Sequence, residues 1–279
     1  MANISKIDLQ AAADRFTEDD KTNYLAADAA LQPGLAGMRM YKAPLLGVAQ
    51  AGDPLFAGLQ APEAIGPHFL LPEAWLPGSR SVLSFFAPFT DTVVEANLRD
   101  ASEVPAEWLH ARIEGQLFIN ALTVHLRDLL AEAGFPSLIP PMDKRFWGNG
   151  RPASVKEDGT SVPGYTSNWS ERHIAYVCGL GTFGLSRGLI TRAGMAGRFG
   201  SLVTAAPLEA DRRPYTRYDE YCNRCGACAA RCPAKAITLE GGKDQPACQH
   251  FCDEVRAKNA PRYGCGKCSV GVPCSTRIP

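Results

Sequence analysis

Residues 222–233 read Cys222-Asn-Arg-Cys225-Gly-Ala-Cys228-Ala-Ala-Arg-Cys232-Pro233, the spacing C-x2-C-x2-C-x3-C-P. No other stretch restricts the chain so tightly. A close loop aims the thiolates of Cys222, Cys225 and Cys228 at three corners of one four-iron, four-sulfur cubane, and Gly226 permits the turn. The fourth thiolate, Cys232, leaves on a short helix set by Pro233 and reaches a different cubane. The run therefore demands a second cluster with three further ligands, and one more cysteine to complete the first.

The sequence supplies them. Of its 10 cysteines, all but Cys178 fall between Cys222 and Cys274. Cys265-Gly-Lys-Cys268 is a second C-x2-C, Cys274 follows, and Cys248 and Cys252 lie upstream. We assign Cys222, Cys225, Cys228 and Cys274 to one cluster. Cys232, Cys248, Cys265 and Cys268 go to the other, which leaves Cys252 spare. Zinc also favours paired C-x2-C, but it needs only four ligands and does not explain the C-x3-C-P ending. Formal net charge is zero over 279 residues, with 29 basic and 29 acidic side chains. From Asp211 onward there are 12 Lys/Arg against 7 Asp/Glu, an excess that eight thiolates would cancel. It reads as compensation for clusters, and nucleic acid is not expected as a partner. Nothing approaches a membrane span or an export signal, so the expected compartment is the cytoplasm, where clustered cysteines mean metal.

Two domains are expected, 1–207 and 208–279, the second a small bacterial-ferredoxin-like double [4Fe-4S] unit. In the first, residues 5–31 read as helix, closed by Pro33-Gly34. Arg80–Phe86 reads as a strand. Pro105–Ala133 reads as one long helix, with Leu109, Ile113, Leu117, Ala121 and Val124 at three- and four-residue spacing and Gly134 as its stop. Strands are expected at Phe135–Ile139 and Phe199–Ala206, and a helix at Ser170–Val177. Between them, 142–168 is a long polar segment, of the kind that is usually functional when found inside a compact domain. Its Lys144, Arg145 and Arg151 are either anion contacts or a solvated face. Cys178, at a glycine-rich turn, reads as a small buried thiol.

Gly179-Leu-Gly181-Thr-Phe-Gly184 matches the dinucleotide fingerprint G-x-G-x-x-G, but that motif must follow a strand and open a helix. Here it follows ERHIAYVC, which is helical in character. The same block, from Ser170-Glu171-Arg172 through Gly179-Leu-Gly181 to Arg198-Phe-Gly200-Ser201, resembles the stretch that precedes the double-cluster domain in the epoxyqueuosine reductase family. Leu76-Pro-Gly-Ser-Arg-Ser-Val-Leu83, Trp108-Leu-His110 and Tyr263-Gly-Cys265-Gly-Lys-Cys268 agree in the same order.

The resemblance implies an α/β (α+β) large domain of nitroreductase-like fold that binds cobalamin, a pairing that reductive dehalogenases share. Cluster electrons would pass singly to cobalt, for reduction of an electrophilic small molecule. An external donor such as a ferredoxin or flavodoxin is implied, and cofactor contacts from His110, Gly179, Gly181, Gly200 and Ser201. His110 also has a plainer reading, as a helix histidine making one ordinary hydrogen bond. The family's proton-donating aspartate falls on Tyr165. A tyrosine near its usual pKa of about 10 is protonated at neutral pH and able to donate. A lysine of the family block is replaced by Leu185, with Arg187 nearby, which puts a phosphate or substrate contact there in doubt. The family's C-terminal helical repeats do not follow Pro279, so tRNA is not the expected substrate. Two other readings stand beside this one: an electron-transfer protein with clusters alone, and a flavin enzyme, since nitroreductase-like folds also hold flavin.

Overall fold

The computed structural model describes residues 4–157 and 159–279. At its centre is a four-stranded antiparallel sheet built from β1 (Leu45–Gln50), β2 (Ser81–Pro88), β3 (Ser137–Leu138) and β4 (Gly197–Thr204), in the order β1-β2-β4-β3. Every residue of β2 is buried, because helices cover both faces. On one face, Val48, Leu83, Phe85 and Leu202 pack against α1 (Lys6–Asp19) and against Phe118, Ile119, Leu122 and Leu126. On the other, Val82 and Val203 meet Phe69, Trp75, Trp169, Ile174 and Val177. The result is an α+β core with helices on both sides of an antiparallel sheet.

Where the sequence reads one helix over 105–133 the structure has two, α2 (Ala106–Ile113) and α3 (Gly115–Glu132). The break has a cause. The hydroxyl of buried Tyr41 donates to the Ala111 carbonyl at 2.9 Å, the acceptor that Gly115 would take in an unbroken helix. A Cβ on Gly115 would stand 2.7 Å from that hydroxyl. The N-terminal helix likewise stops at Asp19 rather than running to residue 31. Asp20 accepts from the Thr22 amide, and Asn23 turns inward to bond the Thr17 and Tyr41 carbonyls. Such side-chain bonds compete with the helix ladder.

Within the polar segment 142–168 the described residues form short strands. Gly148–Asn149 pairs with Thr166–Ser167 and Ser154–Val155 with Ser161–Val162, forming a two-tier hairpin arm. It leads into α4 (Glu171–Val177). Gly179 then ends that helix at φ +84°, and Gly181–Phe183 pairs with Leu189–Thr191. The glycine motif therefore follows a helix and opens a hairpin, which is the wrong context for a dinucleotide. Beyond β4 the chain runs back along β1, where the Asp211 amide donates to the Val48 carbonyl at 2.9 Å and the Val48 amide donates to the Asp211 carboxylate at 2.8 Å. The cysteine-rich part follows, with α5 (Gln245–Asn259) capped by Asp244.

Candidate metal centres and the cleft beside them

Cys222, Cys225, Cys228 and Cys274 line one pocket. Gly226 takes φ +76°, and a single helical turn, Ala227–Ala230, lifts the chain away toward Cys232. The roof is the hairpin from the glycine motif, whose turn brings Leu185 over the thiols so that its amide donates to the Cys222 sulfur at 3.4 Å. Burial pushes Cys228 and Cys274 up to about 11. Such thiols lose their protons only when a cation replaces them. Four sulfurs around one pocket, with an amide aimed at one of them, is a donor set that fits an iron–sulfur cubane.

The other five cysteines form a second group. Cys232 and Cys248 both act electrostatically on Cys268, and Cys248 and Cys268 act on Cys265. Burial holds Cys265 up to about 12. Cys248 and Cys252 sit one turn apart on α5. The Cys252 thiol donates to Cys248, which falls to about 6 through that bond and nearby Lys243, against the cost of burial. Cys252 also senses Cys265. Cys252→Ser is expected to leave reconstituted iron content intact, whereas Cys248→Ser should lose or convert one cluster, as iron assay and EPR would report. The reverse result would exchange the two roles. The groups are neighbours, since Cys228 interacts with Cys268.

Three arginines border the second group. Arg112 comes from α2, Arg172 from α4 and Arg198 from the first turn of β4. Arg172 is open to water by area but hemmed in by protein at longer range, and it senses Cys268 and Cys248. That combination describes a side chain on an open concave face, the cleft beside the second thiol group. Beside it, burial raises Glu171 to about 7 although a Ser201 hydrogen bond and Arg198 oppose the rise, and one of its carboxyl oxygens has no partner. Trp108 closes the cleft's far side by packing on Gly266, between Cys265 and Cys268, where φ is +67° and a Cβ would fall within the indole ring.

The residues the resemblance nominates for a corrinoid are placed as follows. His110 is fully buried, with Nε2 accepting the Leu31 amide at 3.0 Å and Nδ1 bonded to Glu114 at 3.1 Å. Gly181 is small because the Ile190 carbonyl crosses it, and Gly200 because the Phe85 ring and Thr123 lie against it. Gly179 terminates α4. Ser201 is buried, accepting from the Trp169 indole at 2.9 Å. Each of these five thus has a packing or hydrogen-bonding partner within the protein. Tyr165 is half-buried on the hairpin arm at φ +53°. Gly164 beside it packs on its own arm, where a Cβ would stand 2.5 Å from the Ala153 amide, so it does not serve a macrocycle. Tyr165 influences Arg151, which pairs at 2.5 Å with Asp253 on α5. The arm thus reaches the helix of Cys248 and Cys252. Arg145 is bound to Asp143 and to the Ala74 and Trp75 carbonyls, and Lys144 is solvated. Cys178 is fully buried.

The arginine cluster escaped sequence reasoning because each member is an ordinary charged residue in its own segment. The covering hairpin escaped it for another reason, since the glycines there were weighed only as a nucleotide motif.

These features define an iron–sulfur protein. A family model described as a 4Fe-4S binding domain matches residues 215–238. No curated protein matches the chain. Among solved structures, it is similar to an epoxyqueuosine reductase from Bacillus subtilis at 18% identity, with 83% of this chain and 61% of that one covered and a TM-score of 0.47. The epoxyqueuosine reductase from Streptococcus thermophilus gives 17%, 83%, 62% and 0.44. A catabolic reductive dehalogenase in complex with 3-bromo-4-hydroxybenzoic acid gives 15%, 84%, 30% and 0.49. The chain thus spans about three fifths of the reductases it matches.

Proposed function

We propose that this protein is an oxidoreductase that carries single electrons through two [4Fe-4S] clusters to an acceptor seated in the arginine-walled cleft, for reduction of an electrophilic small molecule. The observation that carries this reading is the position of the second thiol group, which abuts the cleft while the first lies behind it under the hairpin. Electrons supplied by an external donor such as a ferredoxin or flavodoxin would enter at one cluster and leave at the other. The order of sequence motifs supports a corrinoid as the acceptor. His110, Gly179, Gly181, Gly200 and Ser201 remain the residues that the resemblance nominates for it, and no step is derived through it.

The chain's own contribution is to exclude bulk water and to hold protons. Tyr165, on the hairpin arm, is the side chain we assign as proton donor. Glu171 holds a proton near neutrality, on a carboxyl with an unpartnered oxygen. A matched pKa and a reachable proton are what a general acid requires. Among the described residues no helix is long and apolar enough to cross a membrane, and we place the activity in the cytoplasm.

The absorbance spectrum of protein purified without oxygen, from cells supplied with cobalamin, tests the acceptor. Corrinoid bands above a broad cluster absorption are expected. Flavin bands, or cluster absorption alone under every loading condition, would reject the corrinoid.

A further inference from the structure

We propose that Arg112, Arg172 and Arg198 form an oxyanion-binding site, so that the molecule occupying the cleft carries a carboxylate or phosphate. This rests on the cleft being the acceptor's seat, and it adds the chemical class of what is held there.

The three side chains converge from separate elements. The Arg198 guanidinium reaches the Arg112 carbonyl at 3.5 Å and bonds Gln116. Arg112 donates to the Tyr263 hydroxyl at 3.1 Å and lies 4.8 Å from that ring. Arg172 repels Arg198, and Arg112 repels both. Burial, with that repulsion, brings Arg198 down to about 10.

Among the described residues none of the three forms an ion pair, although other arginines of the chain do, with Asp143, Asp253, Asp53 and Glu114. Arg112 and Arg198 are half-buried and Arg172 is exposed, so the three offer unpaired guanidinium donors to a ligand lying between them. The carboxyl in place to compensate is Glu171, and it is itself held near 7. Charge balance with the clusters accounts for Arg172, which senses Cys268 and Cys248. For Arg198 the strongest electrostatic neighbours are Arg112, Tyr41, Arg172 and Tyr263, with the Glu171 carboxyl also in range. Guanidinium forks match planar carboxylate and tetrahedral phosphate alike.

The test uses the cluster-loaded protein at low salt. Inorganic phosphate and benzoate are titrated calorimetrically into wild type, Arg198→Gln and Arg198→Lys, with iron content and melting temperature recorded on each sample. Saturable binding is expected in wild type. It should weaken by at least about tenfold in Arg198→Gln, the scale of one lost charge-assisted bond, and partly recover in Arg198→Lys at unchanged iron. Cobalamin and cobinamide, which lacks the phosphate-bearing loop, then separate the sources. Competition by phosphate against cobalamin alone assigns the anion to a cofactor tail, and binding indifferent to both assigns it to the substrate. No anion binding by wild type, or equal binding in Arg198→Gln and wild type, would overturn the site. Loss of iron in wild type would instead count against the electron-transfer reading, since anion binding is measured separately.

Discussion

Tyr165→Phe is expected to keep both clusters and the melting temperature, yet to lose turnover of a suitable electrophile by about 10²–10⁴, the usual worth of a positioned general acid. The substitution removes one hydroxyl and nothing else. Backbone cost is unchanged, because the left-handed conformation at φ +53° is paid in both proteins. The phenol lies beside the Arg151–Asp253 pair that ties the hairpin arm to α5, so a structural role would show as a looser arm and altered melting. Full turnover in the mutant, under conditions where wild type is active, would remove Tyr165 from the mechanism. A parallel fall in Glu171→Gln with no fall in Tyr165→Phe would move the proton to the carboxyl.

Gly266→Ala should be strongly destabilising. Two penalties coincide there. An L-residue in the left-handed region costs about 1–2 kcal/mol, and forcing a methyl into a packed aromatic adds about 1–3 kcal/mol. The methyl would enter the Trp108 ring, and Trp108 is only 5% exposed. Its neighbours Cys265 and Cys268 should move with it, so the second cluster should fail before the first. Gly242→Ala is the matched control, since its φ is +68° but no atom lies within 4 Å of the added carbon. It should lose only the backbone part. Thermal melting with parallel monitoring of cluster absorbance compares the two. Equal losses would show that Trp108 packing does not hold the ligand loop.

The cysteine run was legible because its spacing is set by the geometry of a cubane, which leaves few alternatives. Cys222, Cys225, Cys228 and Cys274 line one pocket in the structure. Strand β2 was legible because a run buried on both faces is apolar throughout. The break between α2 and α3 was not, since its cause is Tyr41, a residue far away in sequence. The same holds for the cleft. Arg112, Arg172 and Arg198 share no local pattern, and only the crossing of α2, α4 and β4 brings them together. The glycines at 181 and 200 were ambiguous for a different reason. Each is required by close packing against Ile190 or Phe85, and a required glycine looks the same in sequence whether its neighbour is a cofactor or the protein itself.

The most direct test of the two-cluster reading is iron and acid-labile sulfide per chain after anaerobic reconstitution, with zinc measured on the same sample. About eight irons and about eight sulfides are expected, because the C-x3-C-P ending commits Cys232 to a second cubane. A reproducible value of about four irons, or stoichiometric zinc, would contradict it.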